Sequence, residues 1–423
     1  MPASRPAEHP ETAGVPHPNG VPGRQLNVLL LESVHPDGQA RLSAAGHRVE
    51  SVSGALGEAE LIERVSGTDI LGIRSKTEVT EAVVDAATHL LAVGAFCIGT
   101  NQIDLAACTR RGIPVFNAPF SNTRSVVELA LAEIISLTRR LTDFSAALHS
   151  GIWDKSAAGS HEVRGRRLGI VGYGNIGAQL SVLAEDLGMT VFFYDIADKL
   201  ALGNARSCSS MDELLENADV VTLHVDGRPG NSGLFGEPQF ARMRDGSMLL
   251  NLSRGFTVDH AALRRHLESG HLAGAAIDVF PDEPKRRGEE FNSELRGLPN
   301  VILTPHIGGS TEEAQADIGQ FVAGKLVDYA ATGTTSMSVN YPGVSLPERE
   351  GMHRLIHLHR NTPGVLATIN GLLADHRVNI EGQMLGTRGD VGYVITDIGT
   401  DYTDDVIAKL HELPETIRLR LVS

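Results

Sequence analysis

Short apolar runs recur along the first three quarters of the chain, each followed by a stretch of helical periodicity. Val28-Leu29-Leu30-Leu31, Ile70-Leu71-Gly72-Ile73, Leu91-Ala92-Val93-Gly94-Ala95 and Pro114-Val115-Phe116-Asn117 read as strands buried on both faces. This first α/β region ends near Pro119. A long helix is predicted from about Thr123, with Val126, Val127, Leu129, Ala130, Ile134 and Leu137 on its apolar face. The alternation then resumes with strands at Arg167–Val171, Thr190–Tyr194, Val220–Leu223, Met248–Asn251, Ala275–Asp278 and Val301–Thr304, and a helix from about Glu312 to Ala330.

Two α/β regions in series, with a helix returning after the second, predict one domain inserted into another. The expected boundaries are a tail at 1–24, a substrate-binding domain at 25–121 and 309–350, a cofactor domain at 122–308, and a small domain at 351–423. An inserted domain leaves a cleft at the junction, where ligands commonly bind. Thr332–Glu350 is rich in Gly, Ser, Thr and Pro and reads as a linker. Beyond it the order is strand (Leu355–His359), helix (Gly364–Asp375), strand (Val378–Leu385), strand (Tyr393–Ile398), helix (Thr403–Leu410) and strand (Ile417–Leu421). That βαββαβ order is ferredoxin-like. A unit so small does not make a redox cleft and is expected to regulate or assemble.

The 423 residues allow two or three domains, and the formal net charge of −15 argues against a nucleic-acid or membrane-surface binder. Cys97, Cys108 and Cys208 are too few for a disulfide framework and fit the cytoplasm. No apolar run is long enough to span a bilayer. The N-terminal segment lacks the pattern of a signal peptide and reads as a disordered tail. No metal is expected.

The sharpest signal is Gly172-Tyr173-Gly174-Asn175-Ile176-Gly177, set between a buried strand and a helix. The following strand ends in Asp195, which completes a dinucleotide-binding βαβ unit. The first glycine permits the tight turn, the second lets backbone approach a pyrophosphate, and the third lets helix and strand pack. Asp195 is placed to hold ribose hydroxyls and would repel a 2′-phosphate, so the expected cofactor is NAD.

Three further segments follow strand ends, where ligands bind in open α/β sheets. Asn251-Leu252-Ser253-Arg254-Gly255 offers Arg254 as a bidentate clamp for a carboxylate. Ile277 to Pro284 presents Asp278 and, in a proline-framed loop, Glu283. Thr304-Pro305-His306-Ile307-Gly308-Gly309 presents one of 17 histidines. Paired with Glu283, His306 would be a general acid/base with a fixed tautomer and a raised pKa. With Arg254 holding a carboxylate and NAD accepting hydride, the set describes oxidation of a hydroxy acid.

Together these segments resemble the D-2-hydroxyacid dehydrogenases, and the likeness runs from about Asn27 to the C-terminus. Ile98–Asp104, Phe116–Ser125 and Trp153–Gly159, with a C-terminal ACT domain, resemble the branch that oxidises D-3-phosphoglycerate. The resemblance implies a Rossmann-type domain inserted in a flavodoxin-like domain, and NAD as cofactor. It implies catalysis by Arg254, Glu283 and His306. It also implies cofactor contacts from residues 172–177, Asp195, Ser253 and Asp278, the last to the nicotinamide carboxamide. Arg74, Ser75, Lys76 and Asn122 are implied to bind substrate, with Lys76 or Lys155 holding its phosphate. Lys76 stands where relatives carry Arg, which keeps the charge and loses the fork. His359, Asn361 and Asn379 match positions that bind L-serine, an inhibitor, between paired ACT domains. A homotetramer is implied, as is side reduction of 2-oxoglutarate. Relatives carry a Gly-Gly pair before the ACT domain, where this chain has Glu350-Gly351-Met352. The alternatives are another D-2-hydroxyacid as substrate, or an NAD-sensing co-repressor.

Overall fold

A computed structural model describes residues 24–284, 288–347, 351–400 and 402–422. The expected tail, apart from Arg24, and Glu350 of the hinge lie outside the described residues. The chain opens with β1 (Asn27–Leu30), α1 (Pro36–Ala44), β2 (Arg48–Ser51), α2 (Glu58–Val65), β3 (Ile70–Ile73), α3 (Glu81–Ala86), β4 (Ala92–Ala95), α4 (Leu105–Arg110) and β5 (Val115–Phe116). The sheet is parallel in the order β2-β1-β3-β4-β5, the flavodoxin-like arrangement. Strand β2 escaped the sequence reading because it is an edge strand of mostly exposed Arg, Glu and Ser.

Next come α5 (Thr123–Arg139) and α6 (Leu141–His149), then β6 (Arg167–Val171), α7 (Asn175–Asp186), β7 (Thr190–Tyr194), β8 (Arg206–Ser207), α8 (Met211–Asn217), β9 (Val220–Leu223), α9 (Glu237–Arg242), β10 (Ser247–Asn251), α10 (His260–Glu268), β11 (Leu272–Ile277) and β12 (Val301–Leu303). Their sheet is parallel, in the order β12-β11-β10-β9-β6-β7-β8. Strand order reverses at β6/β9, the switch point of a Rossmann fold, where the glycine-rich turn sits. The predicted apolar face of α5 is buried at Val126, Val127, Ala130, Ile134 and Leu137, and it includes a buried carboxyl, Glu133.

Helix α11 (Glu312–Thr332) returns to the first sheet and packs on α1, where Gly38 and Gly319 let the backbones meet. The segment read as a linker packs into this unit, within the 309–350 bounds expected for it. Val339 N–H donates to Val115 O at 2.8 Å, Asn340 Oδ1 accepts from Val115 N–H at 2.9 Å, and Tyr341 and Val344 are buried. Its Ser, Thr and Asn side chains supply turn and edge hydrogen bonds, so a polar composition did not mean a loose chain.

The C-terminal unit is β13 (His353–Arg360), α12 (Val365–Asp375), β14 (Ile380–Arg388), β15 (Val391–Ile398), α13 (Asp404–Glu412) and β16 (Thr416–Val422). Its antiparallel sheet runs β14-β15-β13-β16, which is ferredoxin-like as expected. One face carries the helices. From the other, Ile356, Leu358, Tyr393 and Ile395 join a single core with Phe116, Tyr329 and Tyr341 of the first unit. Among the described residues no helix is long and apolar enough to cross a membrane.

Candidate active site

The carboxyl ends of β3, β10, β11 and β12 open on one cleft of 1960 Å³ between the first and second sheets. That exceeds what a small acid alone requires and leaves room for a larger ligand beside it. Arg74, Ser75, Lys76, Asn122, Arg254, Asp278, Glu283 and His306 all line it.

His306 and Glu283 meet across the cleft, the contact that the sequence predicts. His306 Nδ1 is 2.9 Å from Glu283 Oε2, and Glu283 Oε1 accepts from Phe280 N–H at 3.1 Å. The hydrogen bond to Glu283 holds His306 above the ordinary imidazole pKa, against burial and the positive charge of Arg254. Burial works against ionisation of Glu283, yet its hydrogen bonds from His306 and Phe280 keep its pKa below the ordinary value. With Nδ1 occupied, Nε2 is the nitrogen left to act on a substrate. His306 is in the left-handed region at φ 54°, a strained backbone for a non-glycine residue at a site of this kind.

Asp278 is almost fully buried. It accepts from Thr304 Oγ1 at 2.6 Å, Ile307 N–H at 2.8 Å and Gly308 N–H at 2.9 Å. It therefore ties down the loop that carries His306. The resemblance implies a nicotinamide contact for Asp278, and nothing in the local sequence signals this second role. Behind it lies Glu133, whose two carboxyl oxygens have no partner and whose pKa burial pushes up to about 8, with repulsion from Asp278 adding to it. Arg254 reaches the cleft from a turn held by Asn251, whose side-chain amide donates to Arg254 O at 3.1 Å. The motif around Arg254 contains Asn251 but gives no sign of that role.

The glycine-rich turn fits a dinucleotide. Gly172 has φ 93°, and a Cβ there would stand 2.6 Å from His224 O. At Gly177 a Cβ would stand 2.4 Å from Gly172 O, so both positions exclude side chains. A Cβ on Gly174 meets nothing within 4 Å, and no side chain caps the α7 N-terminus behind it. That end is therefore open to an anionic group. Asp195 accepts from Tyr173 N–H at 2.8 Å and Ala197 N–H at 2.9 Å, which fixes its carboxylate at the end of β7.

Of the other expected site residues, two turn their side chains inward and one lies off the cleft. The Tyr173 ring is buried and stacked on Phe193 at 3.8 Å, so only its backbone belongs to the turn. The Ser253 hydroxyl donates inward to Asn251 Oδ1 at 2.8 Å. Lys155 is exposed on the segment after α6 and does not line the cleft. In the C-terminal unit, His359 is buried and its Nδ1 pairs with Arg360 O at 2.9 Å. Asn361 donates from Nδ2 to Gly389 O at 3.0 Å, and Asn379 from Nδ2 to Glu381 Oε1 at 2.6 Å. His359 and Asn361 lie close in sequence at the end of β13, while Asn379 precedes β14 and stands at the other end of the sheet.

Residues 131–308 match the family model of the D-isomer specific 2-hydroxyacid dehydrogenase NAD binding domain, and residues 355–418 match that of the AHAS small subunit-like ACT domain. D-3-phosphoglycerate dehydrogenase of Haemophilus influenzae is 50% identical over 399 residues, covering 94% of this chain and 97% of that protein. The Escherichia coli K12 enzyme of the same name is 50% identical over 403 residues, covering 94% and 98%. Among solved structures, D-lactate dehydrogenase from Aquifex aeolicus, complexed with NAD and lactic acid, superimposes with a TM-score of 0.64 at 25% identity, over 72% of this chain and 95% of that one. The cofactor is NAD, and the chain belongs to the D-3-phosphoglycerate dehydrogenase family of D-isomer specific 2-hydroxyacid dehydrogenases.

Proposed function

We propose that the chain oxidises D-3-phosphoglycerate to 3-phosphohydroxypyruvate, opening the route to L-serine, and that L-serine inhibits it through the C-terminal domain. One observation carries the reaction: the His306–Glu283 pair, Arg254 and the Arg74–Lys76 loop share one cleft. Arg254 holds the substrate carboxylate through its planar fork. His306 removes the hydroxyl proton at Nε2, and Glu283 stabilises the imidazolium that results. Arg74 and Lys76 take the phosphate, with Ser75 and Asn122 near the carboxylate end. NAD, held by residues 172–177 and Asp195, supplies the hydride acceptor. Side reduction of 2-oxoglutarate fits the same Arg254 clamp.

The assembly we propose is a homotetramer working in the cytoplasm. Helix α6 buries none of its residues in this chain, and Leu141, Leu148, Ile152 and Trp153 are exposed along it and beyond. That patch supports contact with a second copy of the cofactor domain. Strand β14 is a sheet edge with Met384 and Leu385 exposed, which supports pairing of two C-terminal sheets. Free cysteines at 97, 108 and 208 fit a reducing compartment.

The test is reduction of 3-phosphohydroxypyruvate, followed by loss of NADH absorbance with and without L-serine. Fast turnover that serine suppresses is expected. Turnover only with unphosphorylated 2-oxo acids would overturn the substrate, and turnover indifferent to serine would overturn the effector.

A further inference from the structure

The loop that carries Arg74 and Lys76 is gripped from below by a residue with no role in the chemistry. Glu32 follows the first strand and is 8% exposed. Its backbone and that of Ser33 are both left-handed, at φ 62° and 52°, a strained pair of non-glycine positions. The turn aims the Glu32 carboxylate across the end of β3. There it accepts from Thr77 N–H at 2.8 Å, Lys76 N–H at 3.0 Å and Arg74 N–H at 3.2 Å. Arg74 Nη1 also donates to Glu32 O at 3.4 Å. On its other side the Arg74 carbonyl accepts from Gln102 Nε2 at 2.5 Å and Cys97 Sγ at 3.5 Å. Arg74 is thus held at both its N–H and its C=O, while Ser75 and Lys76 project exposed into the cleft.

We infer that Glu32 is a positioning residue that sets the preference for a phosphorylated substrate, by fixing the Arg74–Thr77 backbone so that the Arg74 and Lys76 side chains converge on the phosphate. The inference rests on the proposed role of that loop. Three convergent N–H groups would otherwise form an anion-binding concavity of their own. Glu32 fills it, so these three N–H groups are not free to meet an anion in the cleft. Only an acceptor-only group serves three donors at once, because an amide would turn its own N–H₂ toward one of them. Each bond to the carboxylate is charge-assisted and directional.

The experiment compares Glu32→Gln and Glu32→Asp in the full chain. Substrates are 3-phosphohydroxypyruvate and hydroxypyruvate, the same acid without phosphate; NADH binding is followed by fluorescence. Glu32→Gln is expected to raise KM for the phosphorylated acid about tenfold and KM for hydroxypyruvate much less, leaving kcat and NADH affinity near wild type. Glu32→Asp, which keeps the charge, is expected to recover part of the loss, and it carries the test if Glu32→Gln does not fold. An equal change in KM for both acids, or none, would overturn the inference and leave Glu32 a structural turn residue. Lys76→Ala and Arg74→Ala separate the two levels. If neither alters phosphate preference, the reading of the loop fails; if they do and both Glu32 variants do not, only the role of Glu32 fails.

Discussion

Asn361 and Asn379 stand at opposite ends of one antiparallel sheet. Asn361 follows β13 and its N–H donates to Asp390 O in the β14–β15 turn, whereas Asn379 precedes β14 at the end where Ile380 pairs with Ile398. The length of β14 separates them, roughly 25 Å at the rise of a strand. No ligand the size of an amino acid bridges that distance in one chain. Two sheets paired antiparallel along β14 would bring the Asn379 end of one toward the Asn361 end of the other.

That arrangement makes a prediction about mixed assemblies. Asn361→Ala and Asn379→Ala, each alone, are expected to lose inhibition by L-serine. Co-assembled, they are expected to regain part of it, because one interface site then contains both native residues. Activity against serine concentration checks this. Absence of recovery in proven mixed assemblies would overturn a site shared between the Asn361 end of one chain and the Asn379 end of its partner.

The Glu283–His306 pair sets a pH dependence. On the proposed role of His306, oxidation needs its neutral form, and the hydrogen bond to Glu283 raises the pKa through which that form appears. Glu283→Gln removes the charge, so the acidic limb of the oxidation profile is expected to move to lower pH while turnover falls. The pH profile of kcat/KM reads the limb directly, and an unmoved limb would remove Glu283 from the titration.

Arg254→Gln is expected to weaken phosphorylated and unphosphorylated acids by the same factor. Loss of a bidentate charged contact corresponds to about 2–4 kcal/mol, roughly thirtyfold to a thousandfold in kcat/KM. NADH affinity should be unchanged. Arg254→Lys should fall between, since charge is kept and the fork is lost. A loss confined to the phosphorylated acid would reassign Arg254 to the phosphate.

Glu133 predicts a pH-dependent stability. In the folded chain its proton is held to about pH 8, against an ordinary value of 4.5. As pH rises between those values the unfolded state ionises and the folded state does not. Stability therefore falls, by up to about 1.4 kcal/mol per pH unit, and levels off above the folded pKa. Glu133→Gln lacks this loss, so its advantage in Tm should widen from pH 5 to pH 8. A constant difference would show that Glu133 titrates normally.

The exposed patch beyond α6 predicts an assembly effect. Trp153 is 80% exposed in the single chain. Trp153→Asp is expected to reduce the native mass measured by light scattering, with the secondary structure seen by circular dichroism unchanged. Unchanged mass would place the contact elsewhere.

Much of this site was legible because the chemistry sits in contiguous segments after apolar strands. Gly172–Gly177, Arg254, Glu283 and His306 each announce themselves by type and by position at a strand end. Glu32 shares that position, directly after the apolar run Val28-Leu29-Leu30-Leu31, and this was the signal available for it. Its partners Arg74, Lys76 and Thr77 lie more than 40 residues away, so nothing local revealed the three bonds. Glu133 was hidden by its neighbours, since one carboxyl on an apolar helical stripe reads as an edge and not as core.

The sequence by itself determined the fold class, the cofactor motif and the strand-end positions of Glu283 and His306, because side-chain periodicity and turn chemistry are local properties of the chain. Tertiary structure decided what those segments do to one another. It turned the Tyr173 ring and the Ser253 hydroxyl inward, drew the Thr332–Leu346 segment into the first unit, left Lys155 outside the cleft, and parted Asn361 from Asn379. Those outcomes depend on which buried polar groups find partners across distant elements, and that is settled only when the sheets and helices pack.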